Sequence, residues 1–183
     1  MGITELLYEW ECKLFRAINR QYEHKWVYAI FRTVTQLASA PFSIGIVLLL
    51  ILNSTGNVKT AAITAGISLA ISHIPVQIGK KIFRRKRPYL VFNQIFVTNR
   101  PLKDLSFPSG HTTAAFSVIT PFVIFYPFSS FILVPLGMII GLSRIVLGLH
   151  YPSDCFAGML LGIVFGLLSV YFMNNYDSLL LNH

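Results

Sequence analysis

Charge is what this chain has least of. Asp, Glu, Lys and Arg make up 12% of its 183 residues, about half of what a soluble globular protein carries. That scarcity excludes an ordinary water-soluble domain. Carboxylates are rarer still, seven against 15 Lys and Arg, for a formal charge of +8. With only Cys12 and Cys155, in unrelated contexts, a disulfide framework is excluded and both read as free thiols. No Cys/His cluster or carboxylate group shows metal-ligand spacing, so neither a metal nor another cofactor is expected. The N-terminus is charged and lacks the apolar core and small-residue site of a cleavable signal.

Apolar residues fill the space that charge leaves. They make up 54% of the chain and fall in several long runs, which points to membrane helices. On that background the excess of positive charge suits anionic lipid headgroups better than nucleic acid.

Ile3, Leu7, Trp10, Leu14 and Ile18 recur at helical spacing among charged residues. This predicts an amphipathic helix within 1–25, lying in the membrane interface or, alternatively, packed on the bundle from the cytosol. A first span is expected from Trp26 to Leu52, kinked by Pro41, with Arg32 snorkelling to the headgroups. The turn at Asn53–Asn57 leads to a second span, Val58–Phe83. There His73, Gln77, Lys80, Arg84 and Arg87 are spaced to share one face, which should look into the bundle or a wet cavity. Lys81, Arg85 and Lys86 fall off that face and are expected at lipid headgroups. His73 reads as a hydrogen-bonded interior histidine. The connector from Tyr89 to Phe107 is long enough to be a binding loop or lid, with Arg100 and Lys103 either near a headgroup or simply solvated.

Pro108-Ser-Gly-His111 opens the third span, which runs to Tyr126. Ser109 suits an N-cap, Gly110 admits a ligand close to the backbone, and free N–H groups at a helix start bind phosphate. His111 then places a proton donor beside the bound anion. The fourth span, Phe131–Leu149, carries Gly137 and Gly141; the fifth, Pro152–Met173, carries Gly158, Gly162 and Gly166. Small residues at this spacing let membrane helices pack closely. Asn174–His183 reads as a short exposed end.

Around the junction of the last two spans, Arg144, His150 and Asp154 interrupt apolar sequence. If Pro152 opens the helix, Asp154 lies in its first turn, within reach of the His150 ring N–H. That contact would fix the tautomer and leave the other ring nitrogen as a nucleophile. Arg144 adds planar donors suited to phosphate. With five spans alternating in direction, these residues, the Lys80–Arg87 end and the Pro108–His111 start fall on one side. Three cations, backbone donors and two histidines without a metal fit phosphoryl transfer.

Lys80-x6-Arg87-Pro88, Pro108-Ser-Gly-His111 and Ser143-Arg144-x5-His150-x3-Asp154 resemble, in order, the three signature motifs of the type 2 phosphatidic acid phosphatase superfamily. The resemblance implies His150 as nucleophile, oriented by Asp154, with His111 protonating the leaving group. It also implies that Lys80, Arg87, Ser109, Gly110 and Arg144 hold the phosphate. The expected fold is all-α: one membrane-embedded domain over 1–183, with a bundle of about five transmembrane helices at 26–173. Many bacterial relatives have six spans, and here the interfacial helix takes the place of the first.

The expected activity is hydrolysis of a lipid phosphate or diphosphate, of the undecaprenyl diphosphate, phosphatidate or phosphatidylglycerol phosphate type. A non-catalytic lipid-phosphate binder or carrier is the alternative, though it would need neither histidine. A vanadate-dependent oxidase shares the anion site, but its relatives are soluble. No oligomeric state follows from the sequence. Two arguments on sidedness oppose each other. Of the 15 basic residues only Lys59 falls on the far side, which by the positive-inside rule places the site in the cytoplasm. Recycling of lipid carriers by the family places it outside the cell membrane, and that is the expectation adopted.

Overall fold

The structure, a computed structural model, describes residues 2–98, 101 and 103–181, with side chains as far as Asn175. Seven α-helices follow one another: α1 Ile3–Asn19, α2 Lys25–Val34, α3 Ala40–Asn53, α4 Gly56–Phe83, α5 Gly110–Phe125, α6 Ser130–Val146 and α7 Pro152–Leu181. No strand occurs among the described residues. The fold is thus the all-α membrane bundle expected.

Among the described residues, three segments are long and apolar enough to cross a membrane, Gly56–Leu90, Pro127–Val146 and Pro152–Asn175. The expected first span is not one kinked helix. Lys25–Ala38 and Ala40–Asn53 meet at a 54° bend and qualify only together. Pro41 does not kink a running helix; it sits in the first turn of α3, where its missing N–H has no partner to lose. The chain breaks just before, at Ser39, whose backbone is extended. α5 is apolar but only 16 residues long, roughly 24 Å against a hydrocarbon core of about 30 Å. Its shortness is tolerable because it runs through the middle of the bundle, packed on α3, α4, α6 and α7. The last helix continues through Leu181, so the exposed end expected from Asn174 is helical instead. His183 lies outside the described residues.

The glycines of α7 explain how closely it approaches α5. A Cβ on Gly158 would stand 2.5 Å from the Ser109 carbonyl oxygen, and one on Gly162 2.6 Å from that of Thr113. At Gly166 it would meet the Thr120 Cβ at 2.5 Å. The two backbones therefore meet at Gly158 and Gly162, and the Thr120 side chain lies against Gly166, over roughly two turns. This contact is what brings the start of α7 against the start of α5, where the Ser109 N–H donates to the Asp154 carbonyl at 3.0 Å. Gly137 of α6 is similarly filled, by Phe116 and Ile119 of α5, whereas Gly141 makes only ordinary contacts.

α1 uses two faces. Four residues of the predicted stripe point away from the protein, with Ile3 80%, Leu7 63%, Trp10 64% and Leu14 52% exposed, whereas Ile18 packs beside Phe15 on the core. A second face packs on the bundle through buried Cys12, Phe15 and Asn19. Phe15 stacks on Phe92 and touches Tyr151. The Asn19 amide donates to the carbonyls of Val146 and Phe96, tying α1 to the end of α6 and to the connector. α1 thus packs on the bundle by one face and leaves an apolar stripe exposed on the other.

The packing predicts an ordered pair of effects. Gly162→Ala should lower thermal stability by roughly 1–3 kcal/mol, as overpacking against rigid backbone does. Gly45→Ala on α3, where nothing lies within 4 Å of the added Cβ, should be neutral or stabilising by up to about 1 kcal/mol. Thermal unfolding of both variants in the same detergent checks this; equal melting temperatures would contradict the backbone contact.

Candidate active site

Pro152 begins α7 and Asp154 occupies its third position. From there the carboxylate turns back and accepts the Tyr151 N–H at 2.9 Å through Oδ2, closing the helix start as acidic residues at this position do. The same oxygen accepts from Ser106 Oγ at 2.5 Å and lies 3.5 Å from His150 Nδ1. Oδ1 takes Arg85 Nη1 at 2.7 Å. Asp154 is wholly buried and His150 is 1% exposed. Burial lowers the His150 pKa to about 4, helped by Arg87 and Arg144 and opposed by Asp154. The ring is therefore neutral at physiological pH. Its Nε2 lies 3.1 Å from Arg87 Nη1, so the nitrogen away from Asp154 is directed at a cation.

Arg87 is held on three sides. Its Nε and Nη2 donate to the carbonyl and carboxylate of Asp104 at 2.7 and 2.6 Å, and Nη1 donates to the Leu149 carbonyl at 2.8 Å. Lys80 pairs with the other oxygen of Asp104. Burial would raise the Asp104 pKa, but Lys80 and Arg87 outweigh it and hold the group at about 2. Arg144 is buried, donates to Thr35 Oγ1 at 2.6 Å, and leaves Nε without a partner. An orphaned guanidinium N–H at this depth is costly unless an acceptor arrives.

Ser109 is the residue before α5, as expected, but its hydroxyl pairs with Thr112 Oγ1 at 3.0 Å rather than capping a backbone N–H. The first amides of α5 therefore keep the free N–H groups that any helix start presents. A cavity of about 700 Å³ opens here, lined by Lys80, Arg87, Gly110, His111 and His150 together with Asp104. Ser109, Arg144 and Asp154 are buried immediately behind this wall. All eight residues singled out from the sequence thus gather at one end of the bundle, five on the cavity surface and three supporting it.

The sequence reading of the basic run after α4 needs correction. α4 ends at Phe83 and Arg84 adopts a left-handed conformation, φ 43°, so the helical register does not reach Arg87. Arg84 is exposed, and its side chain donates to the Lys81 carbonyl. Arg85, expected at headgroups, turns inward to Asp154 and also meets Glu11 Oε2 of α1 at 2.5 Å. Lys81 and Lys86 are exposed, as expected. His73 bonds Gln77 at 2.9 Å but is exposed to the cavity rather than interior. Arg100 lies outside the described residues; Lys103 is exposed.

Three supporting residues were missed: Glu11, Asp104 and Ser106. A signal existed for one of them, because Asp104 and Asp154 are the only carboxylates between Glu23 and Asp177. Glu11 also accepts the Ser153 N–H at 2.9 Å, so α1 caps α7 from outside. These contacts predict that Arg85→Met destabilises the protein by roughly 2–3 kcal/mol, less than for breaking a fully buried ion pair because Arg85 keeps some solvent contact. Arg84→Met should cost under about 0.5 kcal/mol. Chemical or thermal denaturation of the two variants distinguishes them, and a larger loss at Arg84 would restore the unbroken helix.

The arrangement is a neutral imidazole aimed at a cation, a second histidine, and backbone and guanidinium donors converging on one pocket. It resembles known proteins in sequence and in fold. A 64-residue stretch is 36% identical to the lipid A 1-phosphatase of Rhizobium johnstonii, covering 35% of this chain and 26% of that protein. The undecaprenyl-diphosphatase BcrC of Bacillus subtilis is 26% identical over 85% of this chain and 80% of its own length. The crystal structure of Aquifex aeolicus LpxE superposes with a TM-score of 0.77 at 27% identity, over 87% of this chain and 94% of that one. The chain thus spans about a quarter of the first relative and most of the other two. The family model of the PAP2 superfamily matches residues 61–177, which contain the cations, both histidines and Asp154, and the chain belongs to that superfamily.

Proposed function

We propose that this protein is a membrane lipid phosphatase that works through a phosphohistidine. One juxtaposition supports this above the others: His150 presents Nε2 toward Arg87 while Nδ1 faces the buried Asp154 carboxylate, in a cavity shared with His111. Asp154 favours the tautomer with its proton on Nδ1, which leaves the lone pair on Nε2. That nitrogen attacks phosphorus; the bond to the lipid oxygen breaks, and His111 protonates the departing oxygen. His111 then takes a proton from water, whose oxygen attacks phosphorus. The N–P bond breaks, its electron pair returns to His150, and inorganic phosphate leaves.

Lys80, Arg87 and Arg144 balance the charge on the equatorial oxygens, with the first amides of α5 at Gly110 as further donors. The free Arg144 Nε is suited to one such oxygen. Ser109 can offer the phosphate its hydroxyl by releasing Thr112, since its N–H is held by the Asp154 carbonyl. Because these groups supply the positive charge, no metal is required for this chemistry.

The cavity continues away from these groups between α3 and α4, along Ile44, Val47, Leu48, Ile51 and Leu69. Ile44 and Leu48 are half exposed, so a lipid tail can enter sideways from the hydrocarbon. The substrates this fits are lipid phosphates or diphosphates, among them undecaprenyl diphosphate, phosphatidate and phosphatidylglycerol phosphate. The site is proposed to lie at the outer face of the cell membrane. The basic residues near it are weaker topology signals than their number suggests, because Lys80, Arg85, Arg87 and Arg144 all have partners within the protein.

In saturating chelator, purified wild-type protein should release phosphate from a lipid phosphate and form an acid-labile phosphohistidine when rapidly quenched. His150→Ala should lose at least about 10³-fold in turnover, the scale for removing a nucleophile, and form none. Substantial turnover by a folded His150→Ala protein, or activity that returns only with added magnesium, would sink the mechanism.

Sidedness has a separate test. Cys12 and Cys155 are buried and should stay silent to a membrane-impermeant maleimide. Exposed Lys103 lies at the site end and Thr55 at the opposite one. Lys103→Cys should label in intact cells and Thr55→Cys only after permeabilisation. The reverse pattern would place the site in the cytoplasm.

A further inference from the structure

The wall of the tail groove contains a polar pair that the phosphate chemistry does not use. On α4 the lining residues follow one helical face from Gly66 through Leu69, His73 and Gln77 to Lys80. The far end is closed where Gly66 meets Val47 and Ile51 of α3, 3.2 and 3.8 Å from an added Cβ. At 1.5 Å per residue the groove is roughly 21 Å long, with Gln77 about 4–5 Å and His73 about 10 Å beyond Lys80. Among the described lining residues, these are the only two between Lys80 and the closed end with polar side chains; the rest are apolar or glycine.

His73 and Gln77 use one hydrogen bond on each other, at 2.9 Å between Nε2 atoms. With Gln77 as donor, His73 accepts at Nε2 and carries its proton on Nδ1. The pair then still offers the Nδ1–H and the second amide N–H, and both side chains are exposed to the cavity. Unsatisfied donors facing hydrocarbon are costly. A plain alkyl or prenyl tail would leave them unsatisfied, whereas oxygen acceptors on the lipid would satisfy them.

We propose that His73 and Gln77 form a leaving-group subsite that binds oxygen acceptors of the lipid, one to two helical turns tailward of the scissile phosphorus. Two lipid chemistries place acceptors there. One is the second phosphate of a diphosphate; the other is the ester carbonyls of an acylated glycerol. This rests on the lipid phosphatase reading above and narrows its substrate class, since a lipid whose hydrocarbon starts directly at the phosphate has nothing for the pair to hold.

The test uses full-length protein with three substrates: a long-chain prenyl monophosphate, the prenyl diphosphate of the same chain, and a diacylglycerol phosphate. Gln77→Met and His73→Phe keep size and remove the donors. The readout is each substrate's kcat/KM relative to the prenyl monophosphate in the same preparation, which cancels losses from misfolding. Each variant should lower that ratio about tenfold for at least one substrate, as loss of a hydrogen bond to substrate does. A fall confined to the diphosphate identifies the second phosphate as the bound group; one confined to the diacylglycerol phosphate identifies the carbonyls. Unchanged ratios in both variants would overturn the subsite while leaving the phosphatase intact. Failure of wild type to release phosphate from any of the three would remove both.

Discussion

A buried carboxylate must be paired, and the Asp154 side chain, wholly out of solvent, organises much of this structure around that need. Its four contacts come from three parts of the chain: Arg85 past the end of α4, Ser106 in the connector, and His150 with the N–H of Tyr151 at the corner between α6 and α7. Arg85 passes the constraint on to Glu11, and so to α1. One anion therefore fixes where α4 stops, how the connector returns and how α1 docks. The orientation of the His150 ring is a by-product of satisfying it.

Around this anion the site carries more positive charge than it neutralises. Asp104 balances Lys80 and part of Arg87, while among the described residues Arg144 makes no ion pair, donating to the Thr35 hydroxyl and leaving Nε free. The surplus is tolerable because it lies at the bundle end rather than at mid-membrane, and it makes the pocket selective for an anion. Burial and the same cations keep His150 unprotonated, so in the proposed mechanism the charge that would attract phosphate also preserves the lone pair that would attack it.

The apolar groove and the cationic pocket are one continuous space. α3 makes this possible by starting afresh at Ser39, which turns it 54° from α2 and lays its Ile44–Ile51 face opposite α4. A straight span from Trp26 to Leu52 would not have bent there. The division of a lipid into head and tail is thereby matched by a division within a single cavity.

Much was legible in the sequence because membrane helices leave few choices for polar groups. Lys80, Arg87, His111, Arg144, His150 and Asp154 could not face lipid, so a common interior site followed from their positions and from alternating spans. The glycines of α7 were likewise readable, since only close backbone contact requires them at that spacing. What the sequence left open depended on breaks in regular structure. Helical periodicity placed Arg84 inward and Arg85 outward, but one left-handed residue at the end of α4 reversed the pair. Pro41 signalled a disturbance without saying whether the helix bends or begins again. Glu11, Asp104 and Ser106 stand 143, 50 and 48 positions from Asp154 in the chain, too far for any local pattern to join them. The sequence by itself determined which groups must be buried together; the tertiary structure decided which of them touch, because that depends on where helices end and how they dock.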